Sequence, residues 1–321
     1  MSVAKLGLGL AAVGRPAYIT SGRAGDLGGD RSPESLRRRA AQVLDAGYDA
    51  GIRYIDVARS YGLAESFVAS WLADHPDLDV VVASKWGYTY VGGWRIADDI
   101  THEVKDHSGS AFDKQLQESL VLLGANLRVY QVHSVTPDSP VLIDRTLQEA
   151  LARLRDREIR VGFSTSGPRQ ADVIRAALDI SVGGRRLFEV VQSTWNLLEQ
   201  SAETALTEAS RLGLDVVVKE CLANGRLVDD TDETDDPDPR LPELRAVAQR
   251  LGIGLDQLAM ATALAAPWAD HVLCGAVTTE QVERARAAAA FVLPGESIVA
   301  ARAVPQDAEQ YWHDRSARPW A

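Results

Sequence analysis

Cysteine, long apolar runs and clustered positive charge are all scarce in this chain, and each shortage removes a class of protein. Only Cys221 and Cys274 occur among 321 residues. Both sit in strand-like apolar runs, a spacing that suits neither a disulfide framework nor a zinc site. No stretch approaches about 18 apolar residues, and the N-terminus has no basic region followed by a long apolar run, so neither a membrane span nor a signal segment is expected. No Gly-x-Gly-x-x-Gly follows a strand and opens a helix, because Gly7-Leu8-Gly9-Leu10 lacks that spacing. The net charge is 34 − 45 = −11 with no basic block, which argues against nucleic acid or an anionic membrane as a partner. What remains is a soluble chain, expected in the cytoplasm, whose partner is a small molecule.

Hydrophobic residues make up 46% and charged residues 25% of the chain, ordinary values for a globular core. Much of the acidic excess lies in the run from Asp229 to Pro239. With two prolines and no Gly-centred calcium pattern, that run reads as a solvated loop. The length suits one barrel of alternating strands and helices, which typically needs roughly 250 residues.

Strand-like runs fall at 6–13, 53–56, 79–85, 127–133, 159–164, 187–193, 214–219 and 271–274. Helical patterns separate them, for example 33–50 behind Ser32-Pro33, 63–73, 110–123, 141–157 and 279–290. The strands are near-continuous Val, Ile and Leu, as when both faces are buried. Eight such units predict an α/β fold, a (β/α)₈ TIM barrel occupying residues 1–321 as a single domain. Long loops are expected at 14–31, 86–109 and 225–240, with a C-terminal tail at 301–321 that closes over one face.

Three successive strands end in chemistry. The second delivers Asp56 with Tyr61 just beyond it, the third ends at Lys85 and the fourth at His133. Such ends converge in a parallel sheet, at the face where barrel enzymes keep their sites. An ammonium beside a phenol favours the phenolate, a carboxylate keeps the ammonium charged, and an imidazole polarises a carbonyl oxygen. Asp56, Tyr61, Lys85 and His133 are thus complementary for carbonyl reduction without a metal.

With these residues in these contexts the chain resembles the aldo-keto reductases. The resemblance implies a nicotinamide cofactor, NADPH with NADH as the alternative, and reversible reduction of an aldehyde or ketone with Tyr61 as proton donor. Gln192, in VVQSTWNLL, and Ser164, in VGFSTS, match family positions at the nicotinamide carboxamide, and Thr165 stands where an Asn is usual. Lys219 replaces the aromatic residue that normally stacks on the nicotinamide. Gly275 and Gln281 occupy positions that are basic in the family at the adenosine 2′-phosphate, with Arg284 and Arg286 nearby. Gly275 ahead of a helix still offers backbone N–H groups to a phosphate.

Trp86, Tyr88 and Trp94 in the long loop, with Trp195 opposite, are expected to wall a substrate pocket. Lys219 and Glu220 should face opposite ways, since neighbouring strand residues alternate. Two other readings stay open: a cofactor-binding sensor on the reductase fold, and a lyase or isomerase forming a Schiff base at Lys219.

Overall fold

The computed structural model describes residues 3–20, 24–97, 99–229 and 238–320. Eight parallel strands close into a barrel: Leu6–Gly9, Tyr54–Asp56, Val81–Trp86, Leu127–Val135, Arg160–Thr165, Val190–Thr194, Asp215–Lys219 and His271–Cys274, numbered one to eight below. Strand one closes the ring, pairing Gly9 with Asp56 on one side and Leu8 with Cys274 on the other. The expected (β/α)₈ architecture is the observed one. No helix among the described residues is long and apolar enough to cross a membrane.

Local chemistry explains the helix starts. Ser32 accepts a hydrogen bond from Ser35 N at 3.3 Å ahead of helix Pro33–Asp49. Ser108 and Thr278 cap Gly109–Leu123 and Thr279–Ala290 in the same way, each satisfying an N–H that the helix leaves unpaired. Inside the barrel, Tyr54, Ala83, Val129, Val190, Val217 and Leu273 pack together. Gly7 suits this packing, because a Cβ there would lie 2.7 Å from the end of the Leu273 side chain and 3.1 Å from the Tyr54 ring and would push both aside.

Three departures from the expected elements change their shape rather than shift an end by a few residues. Strand one stops at Gly9 rather than running to residue 13, because the chain turns, with Gly14 N donating to Leu10 O at 3.0 Å, and crosses the barrel mouth. The helix expected over 141–157 is broken. Asp144 caps a fresh start by accepting from Leu147 N, so helix Arg145–Ala152 lies between short 3₁₀ segments.

The third difference is in the tail. Helix Gly295–Ala301 leads into it, and helix Ala308–Ser316 lies within it. Tyr311 and Trp312 are buried with Leu197, Leu198, Leu244 and Leu258, which anchors the second helix. Residues 230–237 of the acidic run lie outside the described residues, and its flanks are held by Arg226 to Asp238 and by Leu255 N to Asp229.

Within the long segment after strand three, Tyr88–Tyr90 and Glu103–Lys105 form an antiparallel hairpin. It brings Glu103 to the mouth of the barrel.

Candidate active site

The ends of the strands surround a cavity of about 420 Å³. Asp56, Tyr61 and His133 line it, and Lys85 lies fully buried behind them. The Lys85 ammonium pairs with Asp56, donates to Val57 O at 3.0 Å and reaches the Tyr61 hydroxyl at 3.3 Å. Register produces this meeting, since Asp56 sits opposite Ala83 and Lys85 opposite Gln131 across adjacent strands. The Tyr61 and His133 rings meet edge to face, 5.5 Å between centroids. The four residues singled out in the sequence therefore assemble at one point.

Burial dominates the titration of Tyr61, Lys85 and His133. It pushes the Tyr61 phenol well above its usual value of 10.0; Asp56 adds to the rise and Arg15 opposes it. Burial lowers the Lys85 ammonium in turn, and Asp56 opposes that shift. His133 is held well below 6.5, first by burial and then by the charges of Lys85, Lys219 and Arg15. A neutral imidazole results, with Nδ1 3.4 Å from the Ser60 hydroxyl. Next to it, His107 Nε2 donates to His133 O at 2.8 Å while its Nδ1 has no partner among the described residues. Burial, with Lys105 adding to it, brings His107 down to about 4.

Arg15 is the functional candidate that sequence reasoning missed. It is 2% exposed and lines the cavity. Its guanidinium lies 5.1 Å from the Tyr61 ring centroid, donates to Ser60 O at 3.0 Å and pairs with Glu103 at 2.6 Å. Trp320 covers it at 4.7 Å and stacks in turn on His102, with centroids 4.3 Å apart and planes 6° apart. A lone Arg in a Gly-rich loop carries no motif, and only the buried position gives it meaning.

The aromatic pocket is mostly elsewhere. Tyr88 lines the cavity, but Trp86 is fully buried against Phe112 on the outer side of strand three. Trp195 packs on Trp268, and Trp94 donates from Nε1 to Arg31 O at 2.8 Å, tying two loops together. Neither Trp lines the cavity, whose aromatic walls are Tyr18, Tyr61, Tyr88 and Trp320. His102 and Lys105 also serve structure, Lys105 donating to Thr136 at 2.7 Å.

Lys219 and Glu220 both line the cavity, contrary to the alternation expected for a strand. The strand ends at Lys219, and Glu220 takes φ +57°, a left-handed turn that brings its side chain back to the same side. Arg315, from the tail helix, pairs with Glu220, and Lys219 lies 3.7 Å from the same carboxylate. These cations hold Glu220 down to about 2 against the effect of burial. Burial brings Lys219 to about 8, with Glu220 opposing the shift, and its ammonium donates to Thr194 at 2.8 Å.

The remaining cofactor candidates divide. Gln192 lines the cavity and donates from its amide nitrogen to Asp56 at 2.7 Å, leaving its buried oxygen with no partner among the described residues. That orphaned acceptor fits the N–H of a nicotinamide carboxamide, since a buried acceptor is costly unless something donates to it. Gly275, Gln281 and Arg284 also line the cavity.

Ser164 and Thr165 do not line it. Ser164 accepts from Ser134 N at 2.8 Å, supporting the left-handed residue that follows His133. Thr165 bonds Ser193 and Gln170, and Ser166 takes the lining position. Arg286 is exposed and pairs with Glu283.

No curated protein matches the chain. Among solved structures it is similar to aldo-keto reductase AKR11C1 from Bacillus halodurans in its holo form, with a TM-score of 0.72 at 24% identity over 96% of this chain and 95% of that one. It is also similar to the glycerol dehydrogenase AKR11B4 from Gluconobacter oxydans, with a TM-score of 0.67 at 21% identity over 98% and 93% of the two chains. Residues 6–304 match the aldo/keto reductase family, and the chain belongs to that family of oxidoreductases.

Proposed function

We propose that this protein reduces an aldehyde or ketone to an alcohol with a nicotinamide dinucleotide, and that Tyr61 moves the proton. One observation carries this reading: the Tyr61 hydroxyl faces the cavity 3.3 Å from the ammonium of Lys85, which Asp56 holds in place. When bound, a reduced nicotinamide supplies the hydride to the carbonyl carbon. Tyr61 donates its proton to the carbonyl oxygen, and the Lys85 ammonium stabilises the phenolate left behind. His133, held neutral, offers a ring N–H to the same oxygen, and Gln192 presents its free acceptor to the carboxamide. Arg15 over the phenol ring adds a second cation favouring proton release.

Tyr61→Phe tests the assignment. Single-turnover oxidation of the reduced cofactor by an aldehyde should slow by about 10³-fold, within the range for a lost general acid, while cofactor binding persists. Hydride transfer at the wild-type rate would remove Tyr61 from the mechanism. A protein that binds the cofactor tightly but turns over no carbonyl even as wild type would instead be a sensor on this fold.

A further inference from the structure

The cavity continues past strands seven and eight to a region walled by Asp26, Asp256, Val277, Gln281 and Arg284. Among the described residues, the cations there are already engaged. Arg284 grips Asp256 with Nε and Nη2, each 2.6 Å from a carboxylate oxygen. Arg39, behind the wall, donates to the backbone carbonyls of Asp26 and Val277 at 3.2 and 3.3 Å. Gln281 is held at both ends, donating to Asp26 at 2.6 Å and accepting from Val277 N at 2.8 Å. Among the described residues the wall thus presents Asp26 and Asp256, an apolar Val and a neutral amide beside the guanidinium of Arg284, which Asp256 holds.

This matters for the dinucleotide of the proposed function, on which the inference rests. Its nicotinamide must lie at Tyr61 and His133, so an extended molecule carries its adenosine toward this region. A 2′-phosphate brings a charge of about −1.5 to −2. It would meet Asp26 and Asp256, and a guanidinium that must first leave its carboxylate. A free 2′-hydroxyl has no such conflict and can donate to either acid.

We infer that Asp26 and Asp256 make this reductase selective for NADH over NADPH, with Asp256 acting by keeping Arg284 from a 2′-phosphate. The preference that the family resemblance implies is thereby reversed.

Equilibrium titration of the purified protein with NADH and with NADPH, followed by tryptophan quenching and reduced-nicotinamide fluorescence, reads the selectivity without turnover. NADH should bind at least about ten-fold more tightly, a gap of the size expected for repulsion near a protein surface. Asp256→Asn releases Arg284 and should cut the ratio by about ten-fold. Val277→Arg, which adds a cation without touching Asp256, should do the same and serves should the first variant fail to fold.

Equal or tighter NADPH binding by the wild type would overturn the inference and leave the reductase reading standing. So would a ratio that neither folded variant moves. Failure to bind either dinucleotide would overturn both.

Discussion

The floor and the roof of the cavity are built in opposite ways. Asp56, Lys85 and His133 come from adjacent strands whose register fixes their spacing, and Tyr61 sits in the turn just after the first of them. The roof over Tyr61 is made by Arg15, Glu103 and Trp320, from an early loop, a hairpin and the end of the tail. Backbone pairing places the floor, and a single ion pair with its aromatic cover places the roof. On the proposed function the floor does the chemistry, and the roof bounds the space above it.

Breaking the roof should have the largest effect. Arg15→Met leaves Glu103 without its cation and should destabilise the protein by about 3 kcal/mol, the cost of splitting a largely buried pair, read by urea denaturation. The same change removes the charge that draws the Tyr61 phenol down. The acid limb of the alcohol-oxidation profile, which needs the phenolate, should therefore move to higher pH. Loss of stability with no movement of that limb would confine Arg15 to a structural role.

Acid probes the joint between the two parts, where His107 of the roof segment holds the backbone of His133. The folded His107 is lowered to about 4 from 6.5, so between those values the unfolded chain binds more protons and stability rises with pH. Its contribution is complete above about 6.5 and is lost as pH falls toward 4, the loss reaching about 2 kcal/mol at pH 5. Denaturation at pH 7.5 and 5.0 should show the fall, and His107→Gln should shrink it.

The smallest effect is expected at the rim. Trp320→Ala removes the cover on Arg15 and the stack on His102, and should cost about 1 kcal/mol. If substrate KM rises while the Kd of the cofactor holds, the tail shapes the substrate end of the cavity.

Much of the floor could be read along the chain because its signals are local: an apolar run, a reactive residue at its end, then a cap and a helix. The same logic misled at Trp86 and Trp195, where aromatic character suggested a pocket wall but strand alternation and helix packing turned the rings into the core. It also misled at Glu220, because a left-handed residue after a strand cancels the alternation. Arg15 had no local signal at all.

By itself the sequence determined the eight-unit alternation, the closed parallel barrel and the four strand-end groups, because hydrophobic period and helix caps act over a few residues. Tertiary structure alone decided which cations stand paired, which rings face the cavity and how the tail covers Tyr61. Those outcomes depend on side chains hundreds of residues apart meeting at low dielectric, where a partner's presence sets both charge state and orientation.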